Sequence, residues 1–200
     1  MEVLVLFGSP HQHGPTARLT EAFLAPLRVL GARVSRVDLY PLNPAPCTAC
    51  GFCKTAEGCA FSDLDQVHRL LLSCDLLVLA APVYNAGLPA PAKALLDRWQ
   101  RYFEARFSRG KRPAIATHRE AVLLLTRGSA EDLGDAHIAA QVQRAFTVMN
   151  TRLAGTVVWP ETDAGESRMA PALAQARQLG LAIGDKLCYN TSVKNPPEIG

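Results

Sequence analysis

Four of the six cysteines in this 200-residue chain fall within thirteen residues, as Cys47-x2-Cys50-x2-Cys53-x5-Cys59. Thiolates are soft ligands, and four at such close spacing form a metal-site signature. A Cx2Cx2C core is the run that wraps a cubane [4Fe–4S] cluster, whereas zinc sites more often present two separated CxxC pairs. Gly51 and Gly58 ease the wrapping of the backbone. The same residues also fit four reduced thiols or a redox-active disulfide. Cys74 and Cys188 fall on expected helix ends and read as structural thiols.

A second group of residues suits an anion. Gly8-Ser9-Pro10-His11-Gln12-His13-Gly14-Pro15-Thr16-Ala17 joins an apolar run to a helical pattern. Such a junction offers free backbone N–H groups and the positive end of a helix dipole. Ser9 and Thr16 add hydroxyl donors. No Gly-Lys-Ser/Thr follows, so this is no Walker loop, and GxGxxG is absent as well. A hydroxyl-rich loop without lysine suits a phosphomonoester held by neutral donors. An ordinary turn capped by Ser and Thr fits the loop equally. No Ser-His-Asp or Cys-His arrangement is visible. His68, His118 and His137 are isolated and read as surface or capping residues.

The elements that must position these groups follow from periodicity. Short continuous apolar runs predict strands at 3–7, 76–81, 121–126 and 156–159, and alternation predicts one at 33–39. Helical spacing predicts helices at 16–30, 63–73, 92–107, 135–150 and 171–188, with a loose tail at 190–200. Residues 1–189 then form one domain, with the cysteine loop 44–61 inserted after the second strand. Five strand-then-helix units predict an α/β three-layer sandwich: a five-stranded parallel sheet with helices on both faces. The most apolar strand, 76–81, belongs at the centre. Ligands bind such sheets beyond the carboxyl ends of the strands, where strand order reverses. The loops 8–15, 40–61, 82–91 and 127–134 all lie there.

Composition narrows the classes. Hydrophobic residues make up 48% and charged residues 20%, which excludes a mainly disordered chain. The longest apolar run, 76–83, is far short of the ~20 residues a membrane span needs. The N-terminus lacks the basic region and cleavage pattern of a signal peptide, so the cytoplasm is expected and thiols there stay reduced. A net charge of +3 says little about steering. Arg98, Arg101, Arg106, Arg109, Lys111 and Arg112 are interleaved with aromatics, a mixture that can mark nucleic-acid binding. No nucleic-acid motif accompanies it. The expectation is a helix with Trp99 and Phe103 packed inward and its arginines facing water, or a subunit contact.

Two motifs carry a resemblance. Gly8-Ser9-Pro10 with Gly14-Pro15-Thr16 resembles the phosphate loop of flavodoxin-like NAD(P)H-dependent FMN reductases and iron–sulfur flavoproteins. Pro82-Val83-Tyr84-Asn85, followed by Lys93-Ala94-Leu95-Leu96-Asp97-Arg98, resembles their second signature. The departures are His11, His13 and Pro15, where that family commonly has Arg, Asn and Asn. The resemblance implies FMN bound at Ser9, His11, Gly14, Pro15, Thr16 and Ala17 through its phosphate. It implies that Pro82, Val83, Tyr84 and Asn85 meet the ring, with Tyr84 as a flat apolar wall. Thr126, Arg127 and Gly128 are placed to close the other side, Arg127 toward the electron-rich end of the ring. The cysteine run is similar to the compact motif of iron–sulfur flavoproteins, which bind [4Fe–4S] beside FMN. It differs from ferredoxins in having x5 rather than x3 before the last Cys, and no Pro after it.

The implied protein is an oxidoreductase taking electrons from NAD(P)H or a ferredoxin-like donor and passing them to a quinone, a flavin or another acceptor. A homodimer or homotetramer is expected, with no membrane or nucleic-acid partner. Lys93, Asp97 and Arg98 fit a salt-bridged helix surface and carry no catalytic role. The basic pI near 8.6 argues against a flavodoxin-type shuttle. The rival is a non-enzymatic redox or metal sensor that uses the cysteine loop to bind a partner or nucleic acid.

Overall fold

The computed structural model describes residues 1–132, 134–164 and 168–194. Five strands form one parallel sheet: β1 (Glu2–Phe7), β2 (Arg33–Asp38), β3 (Leu76–Pro82), β4 (Arg119–Thr126) and β5 (Thr151–Trp159), in the order β2-β1-β3-β4-β5. The strands at the centre read as uninterrupted apolar runs because both of their faces are covered, and every residue of β4 is buried. Their side chains alternate between two cores. Val3, Val5, Phe7, Val78, Ala80 and Leu124 face α1 (Pro15–Val29) and α8 (Met169–Lys194). Leu4, Leu6, Leu77, Leu79, Leu123 and Leu125 face the helices of the opposite layer. Those are α4 (Asp65–Ser73), α5 (Ala90–Arg98), α6 (Gln100–Phe107) and α7 (Asp135–Val148). The expected three-layer sandwich is what forms, with β3 at the centre.

Two single turns of helix, α2 (Leu39–Leu42) and α3 (Phe52–Thr55), lie within the arm that follows β2. β5 begins five residues before its expected start, since pairing with β4 carries it past Arg152 and Gly155, with a register shift at Ala121/Val122. α8 runs on past Cys188 to Lys194, and the remainder of the expected tail lies outside the described residues.

The aromatic helix departs from expectation. It breaks at Trp99 into α5 and α6, and the inward pair is Trp99 with Tyr102. Trp99 packs on Phe146 of α7 at 5.6 Å between ring centroids. Phe103 turns outward and rests on Phe107 at 4.5 Å. Arg98, expected in water, is buried at 2% exposure. His68, expected at the surface, is buried as well, and its Nδ1 lies 3.0 Å from the Tyr102 hydroxyl.

Candidate functional site

Three loops meet at the carboxyl edge of the sheet where strand order reverses between β1 and β3. The first, between β1 and α1, brings Gly14 to the N-cap of α1, and no side chain caps that end. The first intrahelical bond runs from the Arg18 N–H to the Gly14 carbonyl at 3.1 Å. The amides of Thr16 and Ala17 precede it, and Pro15 between them and the cap has no N–H to satisfy. The second loop, after β3, is a tight turn in which Tyr84 and Gly87 exchange two backbone hydrogen bonds of 2.9 Å. Asn85 and Ala86 take left-handed conformations, with φ of 49° and 60°. The turn leaves Tyr84 at 43% exposure on the rim of the sheet edge. The third loop follows β4.

Hydrogen bonds join the three. The hydroxyls of Thr16 and Thr126 lie 2.7 Å apart and are buried. The Val83 N–H donates to the Thr126 carbonyl at 2.8 Å. Gly134 sits on the Ala86 backbone so closely that a Cβ there would come within 2.4 Å of its carbonyl oxygen. Ser9 is buried, and its Oγ accepts the His11 N–H at 3.2 Å, while the His11 side chain is exposed. The residues expected around an FMN therefore come together at one edge.

Arg127 lies there too, but its guanidinium is turned onto the protein. Nε donates to Asp135 Oδ2 at 2.8 Å, with both side chains nearly buried, and Nη1 reaches the Ser129 carbonyl. Beside it, Asp135 Oδ1 and Trp159 Nε1 are buried without hydrogen-bond partners. An acceptor and a donor left unmatched at the mouth of a sheet edge fit a polar ligand. FMN has both a phosphate and a polar ring edge, so the residues present fit it.

The cysteine arm makes a second feature. Cys47, Cys50, Cys53 and Cys59 all line one pocket of about 370 Å³, which Arg98 and Glu104 also line. Cys47 and Cys50 are exposed, and Cys53 and Cys59 are half-buried. Burial pushes the Cys53 thiol up, a backbone hydrogen bond opposes this, and Glu104, Cys59 and Cys47 add to it. The turns between them use Ala49, Gly51 and Gly58 at positive φ. Among the described residues no three His, Cys, Asp or Glu side chains converge as they would around a single metal ion. The four thiols line a common pocket without converging on one point. In number and type they match the donors of a cubane, which takes one thiolate at each of four irons. Burial pushes the Tyr40 hydroxyl of α2 up, and Tyr84 adds to it.

Sequence reasoning missed Arg98, read as part of a helix surface. Lys93 and Asp97 do form the expected exposed pair, at 2.7 Å. His118 and His137 are exposed, as expected.

Residues 1–179 match the sequence profile of the family described as flavodoxin-like fold. The chain belongs to this flavodoxin-like family. Among curated proteins, an "Iron-sulfur flavoprotein" of Archaeoglobus fulgidus is 30% identical over 116 residues, covering 58% of this chain and 50% of that protein. An "Iron-sulfur flavoprotein" of Methanosarcina thermophila is 31% identical over 99 residues, covering 49% of this chain and 52% of that protein. The flavodoxin-like chain thus spans about half the length of these relatives. A solved NAD(P)H:quinone oxidoreductase from Methanothermobacter marburgensis superposes with a TM-score of 0.71 at 22% identity, over 92% of this chain and 96% of that one. At that identity the likeness is one of fold.

Proposed function

We propose that this chain is an FMN-dependent oxidoreductase, taking electrons from NAD(P)H or a ferredoxin-like donor and passing them to a quinone, a flavin or another small acceptor. The observation that carries this reading is the joining of three loops at one sheet edge, around a helix N-terminus that no side chain caps. The amides of Thr16 and Ala17, with the helix dipole, bind the phosphate, and Ser9 and His11 add donors. Gly14 and Pro15 place no competing acceptor in the way. Tyr84 gives the ring a flat face, and Pro82, Val83 and Asn85 frame it. Thr126 and Gly128 hold the opposite side, where Arg127 acts by fixing Asp135 rather than by direct contact.

When bound, FMN supplies hydride and single-electron chemistry that no side chain of the site offers. The residues position it and shield it from water. We assign Cys47, Cys50, Cys53 and Cys59 to a [4Fe–4S] cluster, which supplies one-electron transfer. The relatives named iron–sulfur flavoproteins and the shared pocket of the four thiols support that assignment. The working form is a cytoplasmic homodimer or homotetramer. Among the described residues no helix is long and apolar enough to cross a membrane.

Purification under argon tests the reading. About one FMN per chain, released on denaturation and identified by mass, is expected. A colourless protein carrying zinc favours the sensor instead. Anaerobic reconstitution should add about four irons and four sulfides per chain, lost in Cys50→Ala. Iron far below one per chain leaves a simple FMN reductase.

A further inference from the structure

The four-cysteine segment enters at Ala45 and leaves at Phe61, and one buried side chain touches both ends. Arg98 Nη1 donates to the Ala45 carbonyl at 2.9 Å, and Nη2 to the Phe61 carbonyl at 3.2 Å. The same two nitrogens meet Asp63, Nη2 to Oδ1 at 2.8 Å and Nη1 to Oδ2 at 3.3 Å. Asp63 Oδ2 also accepts the Ala45 N–H at 2.9 Å, so the pair holds both the N–H and the carbonyl of Ala45. The guanidinium carbon lies 4.9 Å from the centroid of the Phe61 ring. Its side chain is 1% exposed, and it lines the cysteine pocket.

We propose that Arg98 is the positioning residue of the cysteine segment: it ties the entering chain to the leaving chain and so holds four thiols around one pocket. A planar fork with several fixed donors can serve two carbonyls and a carboxylate together, which an ammonium cannot.

The test uses the full chain. In reduced, iron-free protein, Arg98→Lys should speed amide exchange at 45–61 and alkylation of Cys59 by iodoacetamide about 10–100-fold, with exchange in β3 unchanged. Lys93→Ala, in the exposed pair on the same helix, should change neither. Wild-type rates in Arg98→Lys overturn the proposal. Where exchange in β3 rises too, Asp63→Asn decides, since local opening there supports the grip and wild-type protection refutes it. A wild type that takes up no iron on reconstitution defeats the cluster assignment alone, because exchange and alkylation in iron-free protein still judge Arg98.

Discussion

The Thr16 and Thr126 hydroxyls meet at 2.7 Å across 110 residues of sequence, buried between the start of α1 and the end of β4. This contact fastens the anion-facing loop to the loop that closes the opposite side. Thr126→Val should strand the Thr16 hydroxyl and cost about 1–3 kcal/mol of unfolding free energy, as should Thr16→Val. The double variant should cost much less than the sum of the two, because both polar partners are then gone. Urea unfolding of all four proteins measures the coupling, and strict additivity refutes it.

Tyr84 projects from a turn set by its own backbone bonds to Gly87. A ring stacked on the isoalloxazine quenches flavin emission and adds roughly 1 kcal/mol beyond area burial. Tyr84→Ala should therefore bind FMN at least about fivefold more weakly and leave it brighter. Fluorescence titration reads both effects together, and an equally tight, equally dark complex places the ring elsewhere.

Arg127 and Asp135 form an ion pair with side chains 11% and 10% exposed. Removing one partner leaves a desolvated charge, so Asp135→Ala should destabilise the fold by about 3 kcal/mol or more. Because the pair shapes the third loop, FMN affinity should fall with it. Replacing both residues by Met should recover much of the stability without the affinity, by chemical denaturation and titration respectively.

His68 gives a pH dependence. Burial, with the positive charges of Arg101 and Arg98, lowers its pKa to about 3. In the unfolded chain it lies near 6.5. Between those values the unfolded chain holds a proton that the folded chain does not. Stability is therefore unaffected above about pH 6.5 and falls by about 1.4 kcal/mol per unit below it. His68→Gln should flatten that slope relative to wild type when unfolding is followed between about pH 7.5 and pH 5. Parallel slopes would show that His68 takes up its proton in the folded state.

The sheet and its ligand edge were legible because buried parallel strands write themselves as unbroken apolar runs, as at 3–7 and 76–81. The cysteine spacing showed that the four thiols would lie near one another, and they do line one pocket, but spacing alone did not show what holds their loop. What escaped was whatever depends on the opposite surface. Helical periodicity put Arg98 on a polar face, but the arm after β2 lays its carbonyls there and turns that face inward. His68 looked isolated because its partner, Tyr102, sits 34 residues away on another helix. Trp99 and Phe103 shared a stripe only for an unbroken helix, and the break after Arg98 exchanges Phe103 for Tyr102. Arg127 is the same case at the flavin edge: its sequence position is suited to the ring, but Asp135 takes its charge.

The grip of Arg98 and Asp63 on Ala45 and Phe61 makes the stretch between them an interchangeable cassette. Because the two anchor points are held by side chains rooted outside it, the intervening residues can lengthen, shorten or lose their thiols at little entropic cost to the sheet. A chain of this design can trade a cysteine-bearing insert for a plain linker and keep its sheet edge intact. Replacing residues 46–60 by a flexible Gly/Ser segment is the engineering form of that freedom, and it would leave a minimal scaffold carrying the proposed flavin site, to which other electron relays can be grafted.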